Sequence, residues 1–200
     1  MHVSQHERRA RSSAALLESA ARGISRYGYG NLVLERVAAE AGYSRGAIYH
    51  QFAGKEELAL AVVEWVSEGW LAEVACPAQA LADPLQALLA LARGHAVYCR
   101  RDIARVLFSL RVEFGGRDHP VGAAVEAAHE TLLTLCGDLI VAARHDGTIS
   151  GGPPPRTMAL AFVGTVEGMV MQLYGHEPDD ELLVERAVLG LLAADPQPSA

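Results

Sequence analysis

Between Ala38 and Leu58 the chain reads AAEAGYSRGAIYHQFAGKEEL, and within it Ser44, Arg45, Gly46, Tyr49, His50 and Lys55 have types and spacing that could do chemistry. An arginine presents a planar fork of N–H donors that suits a base edge or a phosphate. A tyrosine adds a ring for a thymine methyl and a hydroxyl for a phosphate, and a glycine lets the backbone come close. Lys55 is the only lysine in a chain with 17 lysines and arginines together. It falls in the first turn of an expected helix, where its charge opposes the macrodipole; beside unpaired backbone N–H groups the same residue makes an anion site.

These residues need a scaffold that presents them on one side. The local pattern supplies it: a short helix over Leu34–Ala41, a turn at Gly-Tyr-Ser, and a second short helix over Ser44–Phe52 have the spacing of a helix-turn-helix. Gly42 is suited to the positive φ that ends the first helix, and Ser44 to capping the second. Ala47, Ile48 and Phe52 are expected to face inward, which leaves the opposite side of the second helix open to a DNA major groove.

Around this unit helical periodicity is nearly continuous and strand signals are nearly absent, so the expected fold class is all-α. A first helix runs from about Arg8 to Tyr27, with Leu16, Leu17, Ala20, Ala21 and Ile24 on one face, and Gly28 stops it. A longer helix starts at Gly54, with Leu58, Ala61, Val62, Trp65 and Gly69 sharing a face, and is expected to end at Cys76-Pro77. Asp83-Pro84-Leu85-Gln86 reads as an N-cap followed by proline at the first helical position, opening a helix to about Arg101. Ile103, Val106, Leu107, Leu110 and Phe114 make the next stripe, which stops at Gly115-Gly116. From Asp118 to Gly147 a long helix carries Val121, Val125, Ala128, Leu132, Leu135 and Leu139 in steps of four and three. The linker-like GTISGGPPPR precedes a largely apolar helix, Arg156–Tyr174, and a last helix, about Asp179–Ala194, is expected to turn Leu182, Ala187, Val188 and Leu191 inward.

Composition sharpens the functional question. The formal net charge is −7, yet residues 1–55 hold eight basic residues against four acids, which leaves −11 for the remainder. A basic N-terminal quarter on an acidic body suits a segment that meets phosphates and a body that keeps away from them. Cys76, Cys99 and Cys136 show no C-x-x-C spacing, so neither a disulfide framework nor a zinc knuckle is implied. The N-terminal MHVSQHERRARSS has no apolar run after its charges and is not expected to be a signal peptide. The most membrane-like stretch, Met158–Tyr174, contains Glu167 and Gln172 and is not expected to span a bilayer, which leaves the cytoplasm as the expected location.

VAAEAGYSRGAIYHQFAGKEEL closely resembles the DNA-binding signature of the TetR family of bacterial transcriptional regulators, and YGYGN before it looks like the family's link from the first helix. The motif similarity covers roughly Ser13–Val63. The resemblance implies an N-terminal three-helix domain, residues 1–55, that binds double-stranded operator DNA, joined to a larger helical domain, residues 56–200, for ligand binding and dimerisation. It further implies a homodimeric transcriptional repressor released from a palindromic operator by a small organic effector, with no catalytic residue, metal or cofactor. Carried over position by position, Ser44, Arg45, Gly46, Tyr49 and His50 match recognition-helix residues, and Lys55 matches a phosphate-binding lysine. Two positions depart from the pattern: Val33 stands where a capping Thr or Ser is common, and Gln51 where a histidine or aromatic is frequent.

For the effector we expect an apolar or weakly anionic molecule among His95, Tyr98, Leu107, Arg111, Phe114, His129, Met158 and Phe162, with Arg111 either paired with Glu167 or holding the ligand. The dimer contact is expected on the last two helices, where Gly164-x-x-x-Gly168 admits a close partner and Val188 and Leu191 supply apolar surface. The competing readings are a helical enzyme, a ligand-binding protein without DNA function, and a protein-protein adaptor. His95 and Cys99, at i and i+4, are the best metal pair, but no third ligand is identifiable and a buried histidine with an ordinary partner is the expected outcome.

Overall fold

The computed structural model describes residues 5–193, and among them there is no strand. The helices are α1 (Gln5–Tyr27), α2 (Leu34–Glu40), α3 (Arg45–Gln51), α4 (Lys55–Trp70), α5 (Cys76–Gln79), α6 (Pro84–Cys99), α7 (Val106–Phe114), α8 (Pro120–His145), α9 (Pro155–Gln172) and α10 (Asp179–Ala193), with a π-helical turn, Leu71–Ala75, between α4 and α5. The all-α expectation holds. The expected helix end at Ala194 and the first four residues of the N-terminal segment lie outside the described residues.

The described chain forms two compact units. One contains residues 5–68 together with Arg101–Ala127; the other contains Gly69–Arg100 together with residues 128–193. The chain crosses from one unit to the other within α4, between α6 and α7, and within α8.

In the first unit the α1 face reads as expected: Leu16, Leu17, Ala20, Ala21 and Ile24 are all buried. α1 packs on α2 and α7, and α2 on α3. The buried Ser19 hydroxyl donates to the Val37 carbonyl at 3.1 Å, which ties α1 to α2 and satisfies a polar group that would otherwise be costly to bury. On α4 the buried set is Leu58, Ala59, Val62, Val63 and Val66. Ala61, Trp65 and Gly69, expected inward, are half-buried, so the packed face is rotated from the one expected.

In the second unit α10 packs on α6 and α9, and α6 on α9 and the π-helical turn. The helix entering this unit does not end at Cys76-Pro77, contrary to expectation. Cys76 stays helical and its N–H bonds to the Leu71 carbonyl, one residue further back than in an α-helix. Proline lacks an N–H and crowds the carbonyl four residues before it; the widened turn relieves that, and the helix continues through Pro77 to Gln79. The Asp83 cap is as expected, its carboxylate accepting from Leu85 and Gln86 N–H at 2.9 and 3.1 Å.

Two further stripes differ from expectation. On α8 the buried residues after Val125 are Leu133, Cys136, Ile140 and Ala143, not Ala128, Leu132, Leu135 and Leu139, because a straight helix follows its 3.6-residue period and drifts from a 3.5-residue heptad. On α10 the buried residues are Val184, Val188 and Leu192, while Leu182 is exposed and Ala187 and Leu191 are half-buried. The α10 start is fixed by Arg100, which donates to Asp180 at 2.7 and 3.0 Å and to Glu181 at 2.6 Å. No described helix is long and apolar enough to cross a membrane.

Candidate nucleic-acid interface

The turn between α2 and α3 is built by two residues acting for different reasons. Gly42 has φ +78°, and a Cβ there would meet nothing within 4 Å, so the requirement for glycine comes from the backbone alone. With that turn the Tyr43 N–H reaches the Ala38 carbonyl at 2.8 Å and closes the end of α2. Ser44 then restarts the chain, its hydroxyl accepting from the Ala47 N–H at 3.3 Å. Ile48 and Phe52 are buried and Ala47 is half-buried, which turns Ser44, Arg45, Gly46, Tyr49 and His50 outward as one exposed face.

That face is already organised by a residue the sequence reading did not single out. The Glu35 carboxylate on α2 lies 3.3 Å from Arg45 Nε and accepts from the Tyr49 hydroxyl at 3.0 Å, and the Arg45 guanidinium stands 5.6 Å from the Tyr49 ring centre. Bonding to a backbone N–H, then to Tyr49, holds the Glu35 carboxyl below the usual carboxylate range; the same Glu35 bond pushes the Tyr49 hydroxyl up. No periodicity connects residues 35, 45 and 49 across a turn, so only the fold reveals the cluster.

Lys55 is half-buried at the start of α4. Its ammonium donates to the Gly30 carbonyl at 3.4 Å and stands 4.5 Å from the Tyr29 ring centre. The adjoining Ala53 N–H is capped by the Glu57 carboxylate at 2.6 Å. The lysine therefore sits on the loop between α1 and α2, held by a carbonyl and an aromatic face.

The two departures from the family pattern have visible consequences. Val33 is the α2 N-cap residue, 46% exposed, and makes no side-chain capping bond. Gln51 is half-buried and donates to the Ser12 hydroxyl at 3.3 Å, which ties α3 to α1. Asn31 donates to the Tyr27 carbonyl at 2.8 Å, and Arg36 donates to the Asn31 carbonyl at 3.0 Å.

The residues expected around an effector divide between the two units. In the second, His95 and Phe162 line a pocket with Trp70, Leu91, Leu132, Val163, Val166 and Glu167; its free volume is about 10 Å³, room for one water. Tyr98 and Met158 are buried and His129 is half-buried, and none of the three lines that pocket. Leu107, half-buried, belongs to the first unit, where Arg111 and Phe114 border a groove of about 160 Å³ with Arg117, His119 and Glu126. Arg111 pairs there with Glu126 at 3.2 Å. His95 has the ordinary partners expected of it: its Nδ1 accepts from the Trp70 indole N–H at 3.1 Å, and its Nε2 lies 3.3 Å from the Cys99 sulfur. Loss of hydration pushes this imidazole down to about 4. Among the described residues no group of three or more His, Cys, Asp or Glu could hold a metal ion.

Of the residues expected at a dimer contact, Gly164 and Gly168 are exposed on α9 with nothing within 4 Å of either Cβ position. Leu160 and Met171, 47% and 43% exposed, continue the same face. Leu191 is half-buried. Val188 has no exposed surface at all; it belongs to the core that α10 forms and cannot serve as a contact.

A family model described as "Bacterial regulatory proteins, tetR family" matches residues 16–62. The HTH-type transcriptional repressor AcnR of Corynebacterium efficiens is 37% identical over 82 residues, covering 37% of this chain and 44% of the relative, and AcnR of Corynebacterium glutamicum gives the same figures. The chain thus spans less than half the length of the curated relatives it matches. Among solved structures, a TetR-family regulator from Agrobacterium tumefaciens has a TM-score of 0.77 at 20% identity, covering 93% of this chain and 100% of that one. AibR in complex with isovaleryl coenzyme A and operator DNA has a TM-score of 0.71 at 21% identity, covering 90% of this chain and 97% of that one. These structural likenesses extend the match in fold beyond the helix-turn-helix to most of the chain, while the match to the tetR-family model is confined to residues 16–62.

Proposed function

We propose that this chain is a cytoplasmic, non-enzymatic transcriptional repressor that binds a twofold-symmetric operator as a homodimer and is released by a small organic effector. The observation that carries this reading is the exposed face of α3, where Ser44, Arg45, Gly46, Tyr49 and His50 stand over the buried Ile48 and Phe52. Arg45 reads a base edge, Tyr49 and Ser44 meet phosphates or a thymine methyl, Gly46 admits close backbone approach, and Lys55 fixes the head on a phosphate. At Val33 the phosphate contact passes from the side chain to the backbone, and Gln51 supports α3 from behind in place of a contact of its own. Residues 1–55 are in this reading the DNA-contacting part, and residues 56–200 carry the effector site and the dimer face.

The dimer face is the exposed side of α9, from Leu160 through Gly164 and Gly168 to Met171, with Leu191 at its border on α10. Two glycines without a neighbour let a partner helix approach closely, and the two large apolar residues beside them gain from being covered. For the effector, AibR was solved with isovaleryl coenzyme A and operator DNA, which supports ligand control for the present chain. The pocket at Trp70, His95 and Phe162 holds no more than a water as it stands, so the effector has to open it. Its lining is apolar apart from His95 and Glu167, and a carboxylate in the wall disfavours an anion; an apolar body with a hydrogen-bond donor fits better.

The test is to pass random-sequence DNA over the purified full-length protein and to sequence what is retained. A palindrome with two half-sites about one helical turn apart is expected. Retention of no sequence, or of all sequences equally, would refute the reading.

A further inference from the structure

We propose that Glu113, on α7, is a positioning residue for DNA binding: its carboxylate fills a nest of backbone amides in the Gly28–Gly30 turn and through that turn sets Lys55. The inference rests on the DNA-binding reading above and adds to it a residue outside the helix-turn-helix.

The turn lies in the YGYGN segment between α1 and α2. The Tyr29 N–H donates to Glu113 Oε2 at 2.7 Å and the Gly30 N–H donates to Oε1 at 2.9 Å, so each carboxylate oxygen takes one amide. Successive amides that converge in this way form an anion-binding concavity, and here the anion is internal. The glycines make room for it. Gly28 has φ +78°, and a Cβ there would stand 3.0 Å from Oε2; a Cβ on Gly30 would stand 3.5 Å from Oε1. A side chain at residue 28 would thus both strain the backbone and press on the carboxylate.

The same two residues hold the lysine. The Gly30 carbonyl accepts from Lys55, and the Tyr29 ring lies beneath its ammonium. Tyr29 is in turn pinned by aromatic neighbours: Phe114 meets it edge-on at 5.0 Å, and His119, stacked on Phe114 at 4.3 Å, meets it at 5.5 Å. Because Leu110 and Phe114 are buried, the end of α7 that carries Glu113 is anchored. α2 lacks a side-chain cap at Val33, so the direction in which the chain enters it depends on the loop that Glu113 grips.

The experiment measures binding of the full-length protein to DNA that the wild type selects, across a series of salt concentrations. Glu113→Ala and Glu113→Gln are made alone and together with Lys55→Met, and melting temperatures are recorded alongside. Glutamine keeps the shape but turns a donor toward one of the amides, so both variants are expected to lose affinity, by about tenfold, the loss that goes with a charge-assisted hydrogen bond. If Lys55 leaves its phosphate in each protomer of a dimer, the salt slope drops by about 2. In the Lys55→Met background the same Glu113 changes should cost little more. Acetate at constant ionic strength should restore part of the affinity of Glu113→Ala by refilling the nest, and should not help Glu113→Gln, whose side chain blocks it.

Losses that add fully to that of Lys55→Met, or variants that melt earlier yet bind with the wild-type slope, would overturn the proposal and leave Glu113 a structural residue. An acetate response no larger than that of the wild type would overturn the nest. If Glu113→Ala does not fold, Glu113→Gln carries the comparison. A wild type that selects no DNA removes the DNA-binding reading itself, whereas a wild type that selects an operator beside variants that bind it equally well removes only this inference.

Discussion

Arg45 and Tyr49 reach solvent already bonded to one carboxylate, that of Glu35, so the proposed binding of DNA would exchange an internal partner for an external one. The acid has two opposing effects: it orients the two donors, and it repels phosphate. Glu35→Gln should therefore bind random duplex DNA more tightly and discriminate less among sequences, which competition titrations with selected and scrambled duplexes would read. Arg45→Ala should instead lose about 1–3 kcal/mol of preference at one base pair per half-site while leaving random DNA nearly unchanged. At the same scale His95 makes stability depend on pH. Its folded value near 4 lies below its ordinary 6.5, so between those values the unfolded chain takes up a proton that the folded chain refuses. The stability it contributes is complete above pH 6.5 and is lost as pH falls toward 4. The loss should be about 1–3 kcal/mol, allowing for the surface the residue retains. Urea midpoints at pH 7, 6 and 5 should show that decline in the wild type and a flatter one in His95→Gln, which keeps an acceptor for Trp70.

Helix ends were legible because caps are local chemistry. Gly28, Gly42, Ser44 and Asp83 each do what their side chains or their φ angles dictate. Faces were less legible, since an apolar residue announces burial without saying against what. The inward set on α10 differs from expectation for that reason, since the rotation of a helix is set by neighbours distant in sequence, whereas on α8 the helical period itself drifts from the heptad. The Cys76-Pro77 stop failed differently, because a π-helical turn absorbs the proline and leaves no mark in composition. The exposed side of α3 was legible, being encoded within one turn and one short helix, whereas Glu35 meets Arg45 and Tyr49, and Glu113 the Tyr29–Gly30 turn, only through tertiary contact. The case of Val188 yields a test at this scale. Val188→Arg places a charge in a sealed core and should unfold the chain, whereas Leu160→Arg or Met171→Arg alters an exposed α9 face and should give folded monomers. Circular dichroism together with sedimentation velocity would separate the two outcomes, and folded dimers of Leu160→Arg would move the proposed contact elsewhere.

Across the whole molecule the charge is divided, with +4 in residues 1–55 and −11 in the remainder. An acidic body gives no general affinity for a polyanion, so attraction rests on the basic quarter, and binding should fall steeply with salt. For ~6–10 phosphate contacts the expected loss is about 10³ to 10⁵ between 50 and 200 mM salt. A flat response in a filter-binding series would contradict it. The first compact unit is also assembled from two separated stretches of chain, 5–68 and 101–127, with α7 of the later stretch packed on α1 of the earlier. A ribosome delivers these at different times. Until residue 114 has left the exit tunnel, α1 has no α7 to cover it, and the amides of Tyr29 and Gly30 lack the Glu113 carboxylate. The proposed DNA-reading head, though it is written first, should therefore become protease-resistant only after α7 has been made. A fragment truncated at residue 68 should remain loosely ordered, however complete its recognition motif.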